Sequence, residues 1–179
     1  MFADNQNRRV GNPQLKPEFR NIAELNYNKL FSKGSYLGSG YFRYEEQPIT
    51  EIAYYSPLPG ESNVLINTTI NGKNSIRYGI ENTLKWTFFK NLDVTLNANA
   101  FYIFIRGTVV QGQPEVTAKG YAYNAKSTIA YKFPKNITLQ VNGNYESPKI
   151  LLLGYSKPIY SMDVSLNYMI KTKWIFNAT

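Results

Sequence analysis

Apolar and polar residues alternate with period two along most of the chain, in runs of about ten residues, and helical spacing is sustained nowhere. Around Ala23 to Phe31, Ala23, Leu25, Tyr27 and Phe31 share one face and Glu24, Asn26 and Asn28 the other, with Lys29 breaking the apolar series. A second strand is expected from about Tyr36 to Tyr54, with Gly38, Gly40, Phe42 and Tyr44 outward and Arg43 and Glu45 inward. From Ile76 to Phe89 the apolar set is Tyr78, Ile80, Leu84, Trp86 and Phe88, interrupted by Asn82, against Glu81, Thr83, Lys85 and Thr87. Beyond Asp93, Val94, Leu96, Ala98, Ala100, Tyr102 and Phe104 oppose Thr95, Asn97 and Asn99, after which the inner set turns apolar at Phe101, Ile103 and Ile105. The pattern then places Tyr121, Tyr123, Ala125, Ile129, Tyr131 and Phe133 against Asn124, Lys126, Thr128 and Lys132. Next, Ile137, Leu139, Val141 and Tyr145 oppose Thr138, Gln140, Asn142 and Asn144, and Met162, Val164, Leu166 and Tyr168 oppose Asp163, Ser165 and Asn167. Trp174-Ile175-Phe176 opens one more strand, so the expectation is an all-β, antiparallel up-and-down sheet of about seven strands plus part of an eighth.

The links between these strands alternate in length. Short ones fall at Ser32-Lys33-Gly34-Ser35, Lys90-Asn91-Leu92-Asp93, Pro134-Lys135-Asn136 and Lys171-Thr172-Lys173. Long ones run roughly from Ser56 to Asn74, Gly107 to Lys119 and Ser147 to Pro158, with the Gly, Pro and Asn of irregular segments. Tight turns at one end and long loops at the other are the layout of a transmembrane β-barrel, whose turns close the periplasmic rim. Aromatic residues make up 15% of the chain and gather near both strand ends, as interfacial girdles require. Trp86, Phe88, Phe133, Tyr168, Trp174 and Phe176 fall by the short turns, and Tyr54, Tyr55, Tyr102, Phe104, Tyr121, Tyr145 and Tyr160 towards the long loops. The faces from Val94 to Ala100 and from Met162 to Tyr168 carry no charge, and a Lys or Arg at the bilayer midplane costs about 2 to 4 kcal/mol. Alternation alone does not distinguish lipid from a soluble core. A soluble β-rich glycan- or nucleic-acid-binding module is the alternative, and it predicts that Leu96, Val141 and Leu166 are buried.

Chemistry is limited by what the sequence lacks. With no His and no Cys, the usual general base, a thiolate and a disulfide framework are all removed, and neither catalysis nor a cofactor or metal site is expected. The net charge of +8 is spread in ones and twos, which reads as solvated charge and gives no reason to expect nucleic acid as a partner. No apolar run reaches the length of about 18 residues that a membrane helix needs. Met1 to Arg9 lacks the apolar core of a signal peptide, so either export begins upstream of Met1 or the barrel reading fails.

Gly11-Asn12-Pro13-Gln14-Leu15-Lys16-Pro17-Glu18, followed by Asn21 and Glu24-Leu25, resembles the G-N-P-x-L-K-P-E loop and strand of TonB-dependent receptors and the related outer-membrane β-barrel family of Bacteroidetes. Phe42-Arg43-Tyr44 with Pro48-Ile49, Ile76-Arg77-Tyr78-Gly79-Ile80-Glu81, and Ser147-Pro148 with Gly154-Tyr155 and Lys157-Pro158 are similar to the same family in the same order. The resemblance implies a cell outer-membrane receptor of about 22 strands with a plug in its lumen. It would be energised through TonB and import a small-molecule or glycan nutrient. Residues 1–179 are then a partial barrel domain, with 1–20 an extracellular loop followed by β-hairpins, a plug domain expected to be absent, and the remaining strands, the plug and outer-membrane lipid as partners. Arg43, Glu81, Lys85, Asn97, Asn99, Asn124, Lys126, Asn142 and Asn144 would face the lumen, mostly as its packed and hydrated lining. Tyr54, Tyr55 and the 107–119 loop are the segments expected to meet a ligand, since selection tends to lie in loops.

Overall fold

The runs of alternating residues become strands, one of them split in two, and each strand of the main sheet pairs antiparallel with its neighbours. The computed structural model describes residues 7–108, 114–170 and 174–178. Their strands are β1 (Asn7–Arg9), β2 (Phe19–Phe31), β3 (Gly34–Glu46), β4 (Ile49–Tyr55), β5 (Leu65–Asn71), β6 (Asn74–Phe88) and β7 (Leu92–Gly107). β8 (Val116–Phe133), β9 (Ile137–Glu146), β10 (Ile150–Leu151), β11 (Gly154–Tyr155), β12 (Ile159–Ile170) and β13 (Trp174–Ala178) complete the set. Eight of them form one continuous wall in the order β13-β12-β9-β8-β7-β6-β3-β2. Among the described residues the wall ends at β2 and β13 and is not closed.

The register tests the assignment of faces, because a one-residue slip would turn a strand's whole apolar set to the other side. Cross-strand partners run Ala23, Phe42, Tyr78, Tyr102, Tyr121 in one row and Trp86, Val94, Ile129, Val141, Val164 in another. All the residues expected on the apolar face from Ala23 to Tyr168 lie on one side of the wall. Among the described residues nothing covers that side: Leu25 is 80% exposed, Met162 73%, Leu96 43% and Leu166 46%. The soluble-core alternative needed Leu96, Val141 and Leu166 buried; Leu96 and Leu166 are exposed and Val141 is half-buried, so it is overturned for this face.

Asn82, the one polar interruption on β6, is satisfied locally. The Tyr36 hydroxyl donates to Asn82 Oδ1 at 2.5 Å. The tyrosine reaches it by lying across Gly38, where an added Cβ would meet Tyr36 Oη at 2.7 Å. A polar group facing hydrocarbon is costly unless paired, and the glycine makes the pairing sterically available.

Aromatic rings edge this apolar band at both ends. Phe31 and Trp86 pack at 5.6 Å and Tyr131 and Phe133 at 4.6 Å by the short turns. Tyr78 and Tyr102 lie at 5.3 Å, Tyr102 and Tyr121 at 5.1 Å, and Tyr123 and Tyr145 at 5.6 Å towards the long loops. Tyr54 and Tyr55, expected near that girdle, instead stand on β4 outside the wall. The side chains of Trp174 and Phe176 and the turn at 171–173 lie outside the described residues.

The strand expected from Tyr36 to Tyr54 is in fact two. β3 stops at Glu46, where Gln47 takes a positive φ of 53° and Pro48 follows. A proline has no N–H to give to a central ladder, and the chain leaves the wall. β4 then pairs with β5, and β5 pairs in parallel with β1, giving a small sheet at the long-loop end. The expected link from Ser56 to Asn74 therefore contains a strand of its own. The chain re-enters the wall through Gly72 N–H to Pro48 O (2.7 Å) and Lys73 N–H to Arg106 O (2.7 Å). Short turns at the opposite end use left-handed residues, φ 56° at Phe89 and 65° and 60° at Lys135 and Asn136.

Candidate ligand cavity on the polar face

The polar face of the wall is built in transverse rows. One row runs Asn26, Ser39, Glu81, Asn99, Asn124, Glu146; the next, towards the short turns, runs Asn28, Leu37, Thr83, Asn97, Lys126, Asn144, Ser161. Below that come Lys85, Thr95, Thr128, Asn142 and Asp163. Arg43 lies above them, directly opposite Arg77. All nine residues expected to line a lumen thus occupy one face, in neighbouring rows.

Not all of them interact. Asn99 Oδ1 accepts from the Tyr41 hydroxyl at 3.1 Å, and Asn142 Oδ1 accepts from Thr128 Oγ1 and Gln140 Nε2, both at 3.0 Å. Asn144 Oδ1 is buried with no partner. Glu81, Lys85 and Lys126 are exposed on the open face. Arg43 lies over the Tyr41 ring, 5.8 Å from its centroid, and Arg77 over Phe101 at 5.0 Å.

Above these rows the inner face turns apolar at Phe101, Ile103 and Ile105, and the reason lies far away in sequence. The link after β9 folds back over this face, placing Ile150 and Leu152 against Ile103 and Ile105, with Ile70 and Ala118 at the edge. These four central side chains are the most water-excluded cluster of the wall, Leu152 being 2% exposed. The link is pinned where it leaves the wall: Ser147 N–H donates to Tyr123 O, and Tyr123 N–H donates to Ser147 Oγ, both at 2.9 Å. Gly120 supplies the room, since a Cβ there would sit 2.9 Å from Ile150 Cδ1.

Between the docked link, the start of β4 and the wall lies a cavity of about 460 Å³, within the range of small-ligand sites. Its walls combine Arg77, Glu45, Asn99, Asn124 and Lys149 with Phe101 and Ile103. Of the nine expected residues only Asn99 and Asn124 line it. Arg77, Tyr41, Glu45 and Phe101 were missed as candidates, although their parity with Glu81, Arg43 and Asn99 places them on the same face.

The Gly11–Glu18 segment acts as a staple over this end. Asn12 Nδ2 donates to Thr69 O (2.9 Å) and its Oδ1 accepts from Gln14 N–H (3.0 Å). Asn71 clasps both backbone groups of Lys16, at 2.8 and 2.9 Å. Glu18 accepts from Ile49 N–H (3.0 Å) and pairs with Arg20 (2.8 Å), which also binds Glu45 at 2.9 Å. Further out, Arg8 grips both oxygens of Glu61, at 3.0 and 3.3 Å, and Ser56 donates to the same carboxylate at 3.1 Å. Those bonds hold the Glu61 carboxyl below its ordinary pKa, Arg8 contributing most and Ser56 next.

A meander of paired strands with an uncovered apolar band between aromatic girdles and long links at one end is the wall of a transmembrane β-barrel. The chain belongs to the Outer membrane protein beta-barrel family, whose sequence model matches residues 1–178, and its place is the outer membrane. No curated protein and no solved structure matches it.

Proposed function

We propose that this chain supplies part of the barrel wall and extracellular loops of a TonB-dependent receptor, of the kind that the Gly11–Glu18 motif resembles in Bacteroidetes, importing a small-molecule or glycan nutrient. The observation that carries the reading is the link after β9, which packs an apolar core onto the inner face instead of leaving it lined for water. A general diffusion pore keeps its interior polar and open, whereas a receptor that captures a scarce ligand needs loops that converge on a shaped, partly apolar cavity. On this reading the nine polar residues line the lumen and meet a plug that couples to TonB. The wall and loops do no bond-breaking chemistry.

The test is uptake by cells carrying the full-length gene. Accumulation of a radiolabelled nutrient that depends on the protein, saturates with concentration and stops when TonB is removed is the expected result. Non-saturable leakage of small sugars, unchanged without TonB, would identify an open pore and overturn the proposal.

A further inference from the structure

We infer that Arg43 and Arg77 form an anion site at the edge of the cavity, built for a carboxylate or phosphate group on a monosaccharide-sized ligand. The two residues are direct cross-strand partners on the inner face, a placement that brings like charges together and is unfavourable when nothing lies between them. Neither has an ion-pair partner among the described residues. The buried Nε of each has no hydrogen-bond partner. Arg43 lies over the Tyr41 ring and Arg77 over the Phe101 ring, and neither guanidinium, the group that matches a carboxylate or phosphate in fork geometry, has an acceptor among the described residues. Glu45, next along β3 on the same face, is already held by Arg20 at 2.9 Å.

The surroundings fit an anion attached to a small organic body. Arg77 lines the cavity together with Phe101 and Ile103 and, in the next row along the same face, the neutral donors and acceptors of Asn99 and Asn124. An anionic head at the arginines would let the remainder of the ligand lie along the Phe101 and Ile103 surface, with its hydroxyl groups towards the asparagines. Lys149, on the docked link, also lines the cavity but is paired with Glu146 there at 3.4 Å, so the two arginines are the positive groups left for an anion. This inference rests on the reading of the inner face as a ligand-facing lumen, and binding is measured apart from uptake so that the two can fail separately.

The same anion could belong to a free ligand or to a carboxylate elsewhere in the protein, and the experiment separates them. The full-length protein, purified from outer membranes in detergent, is titrated calorimetrically with citrate, with inorganic pyrophosphate and with glucose as a neutral control. Tm is measured in parallel for the native protein, R43Q, R77Q, R43Q/R77Q and R43K/R77K. Saturable binding of citrate or pyrophosphate but not glucose, weakened at least tenfold by either glutamine variant and partly kept by R43K/R77K, supports a ligand anion. No binding by the native protein, with a Tm lowered in R43Q/R77Q and restored in R43K/R77K, assigns the anion to a protein carboxylate and overturns the ligand site. Anion binding that R43Q/R77Q leaves intact, glucose binding as tight as citrate, or no binding together with a Tm that R43Q/R77Q leaves unchanged or raises would each overturn the site.

Discussion

Adjacent residues on one strand should respond oppositely to the same charge. Leu96 and Asn97 are neighbours on β7, the first on the uncovered apolar face and the second on the polar one. The apolar band on β7 is bracketed by Leu92, at the level of Phe88, and by Tyr102, at the level of Tyr78. At about 3.3 Å per residue and a strand tilt near 40°, those brackets stand about 25 Å apart along the membrane normal. Leu96 then lies about 10 Å inside the short-turn edge, close to the midplane. Leu96→Arg is therefore expected to cost about 2 to 4 kcal/mol in a bilayer, on the order of 30- to 1000-fold in the folding equilibrium. Asn97→Arg, which keeps its charge in water on the other face, is expected to cost under about 0.5 kcal/mol. The assay is reversible guanidinium unfolding of the full-length protein in lipid vesicles, followed by tryptophan fluorescence and by heat-modifiable gel mobility. Equal costs for the two variants, or a larger one for Asn97→Arg, would refute the assignment of faces.

Other outcomes follow from particular contacts. Gly120→Val should drive Ile150 off the inner face and expose the link after β9 to protease, at a cost of about 1 to 3 kcal/mol, while Leu152→Ala should loosen the same link through a cavity costing about 2 to 5 kcal/mol; a link that remains protease-resistant in both would refute the docking. Tyr36→Phe and Asn82→Leu should each cost about 1 to 3 kcal/mol by orphaning the other's polar group, and the double variant should recover most of it; strictly additive losses in vesicle unfolding would contradict the pairing. Because the Glu61 carboxyl is held below its ordinary value of 4.5, the Arg8 clasp should be at full strength above about pH 4.5 and released as pH falls through the lowered value. The protection factor of the Val10 amide, which donates to Asn67 O at 2.9 Å, taken relative to intrinsic exchange at each pH, should fall over that acid range in the native protein and already be low at neutral pH in Glu61→Gln; a protection factor that does not change with pH in the native protein would refute the linkage.

The wall was legible because its signal is local: a strand between lipid and water must alternate, and parity alone put Tyr78, Leu96 and Met162 on one side and Glu81, Asn97 and Asn142 on the other. Parity does not say whether a strand stays in the wall. β4 alternates as well as β3 does, so the chain's departure at Gln47 was hidden inside a pattern that ran on to Tyr54, and Pro48 was the cue that counted against it. The apolar turn at Phe101, Ile103 and Ile105 was equally visible, but its cause, Ile150 and Leu152 arriving from a distant link, is a tertiary contact with no counterpart in local sequence. The cavity was missed for the same reason. Arg77 carried the right parity and differed from Glu81 only in standing at a level that the docked link encloses.

The nesting of β4 and β5 inside the gap between β3 and β6 also bears on how the chain folds. Elsewhere in the wall each strand pairs with the next one available, so contacts are short in sequence and pairing can spread hairpin by hairpin, the arrangement that favours fast folding. Between Glu46 and Asn74 a loop must be closed first, and the entropy of closing it would fall on that single step. The β4–β5 hairpin, paired from Ile49 with Asn71 to Tyr55 with Leu65, divides that closure into smaller ones and delivers Asn74 beside Glu46 already in register. The outer sheet thus serves as a guide for assembly of the wall, and variants that break it are expected to slow insertion more than they weaken the finished protein.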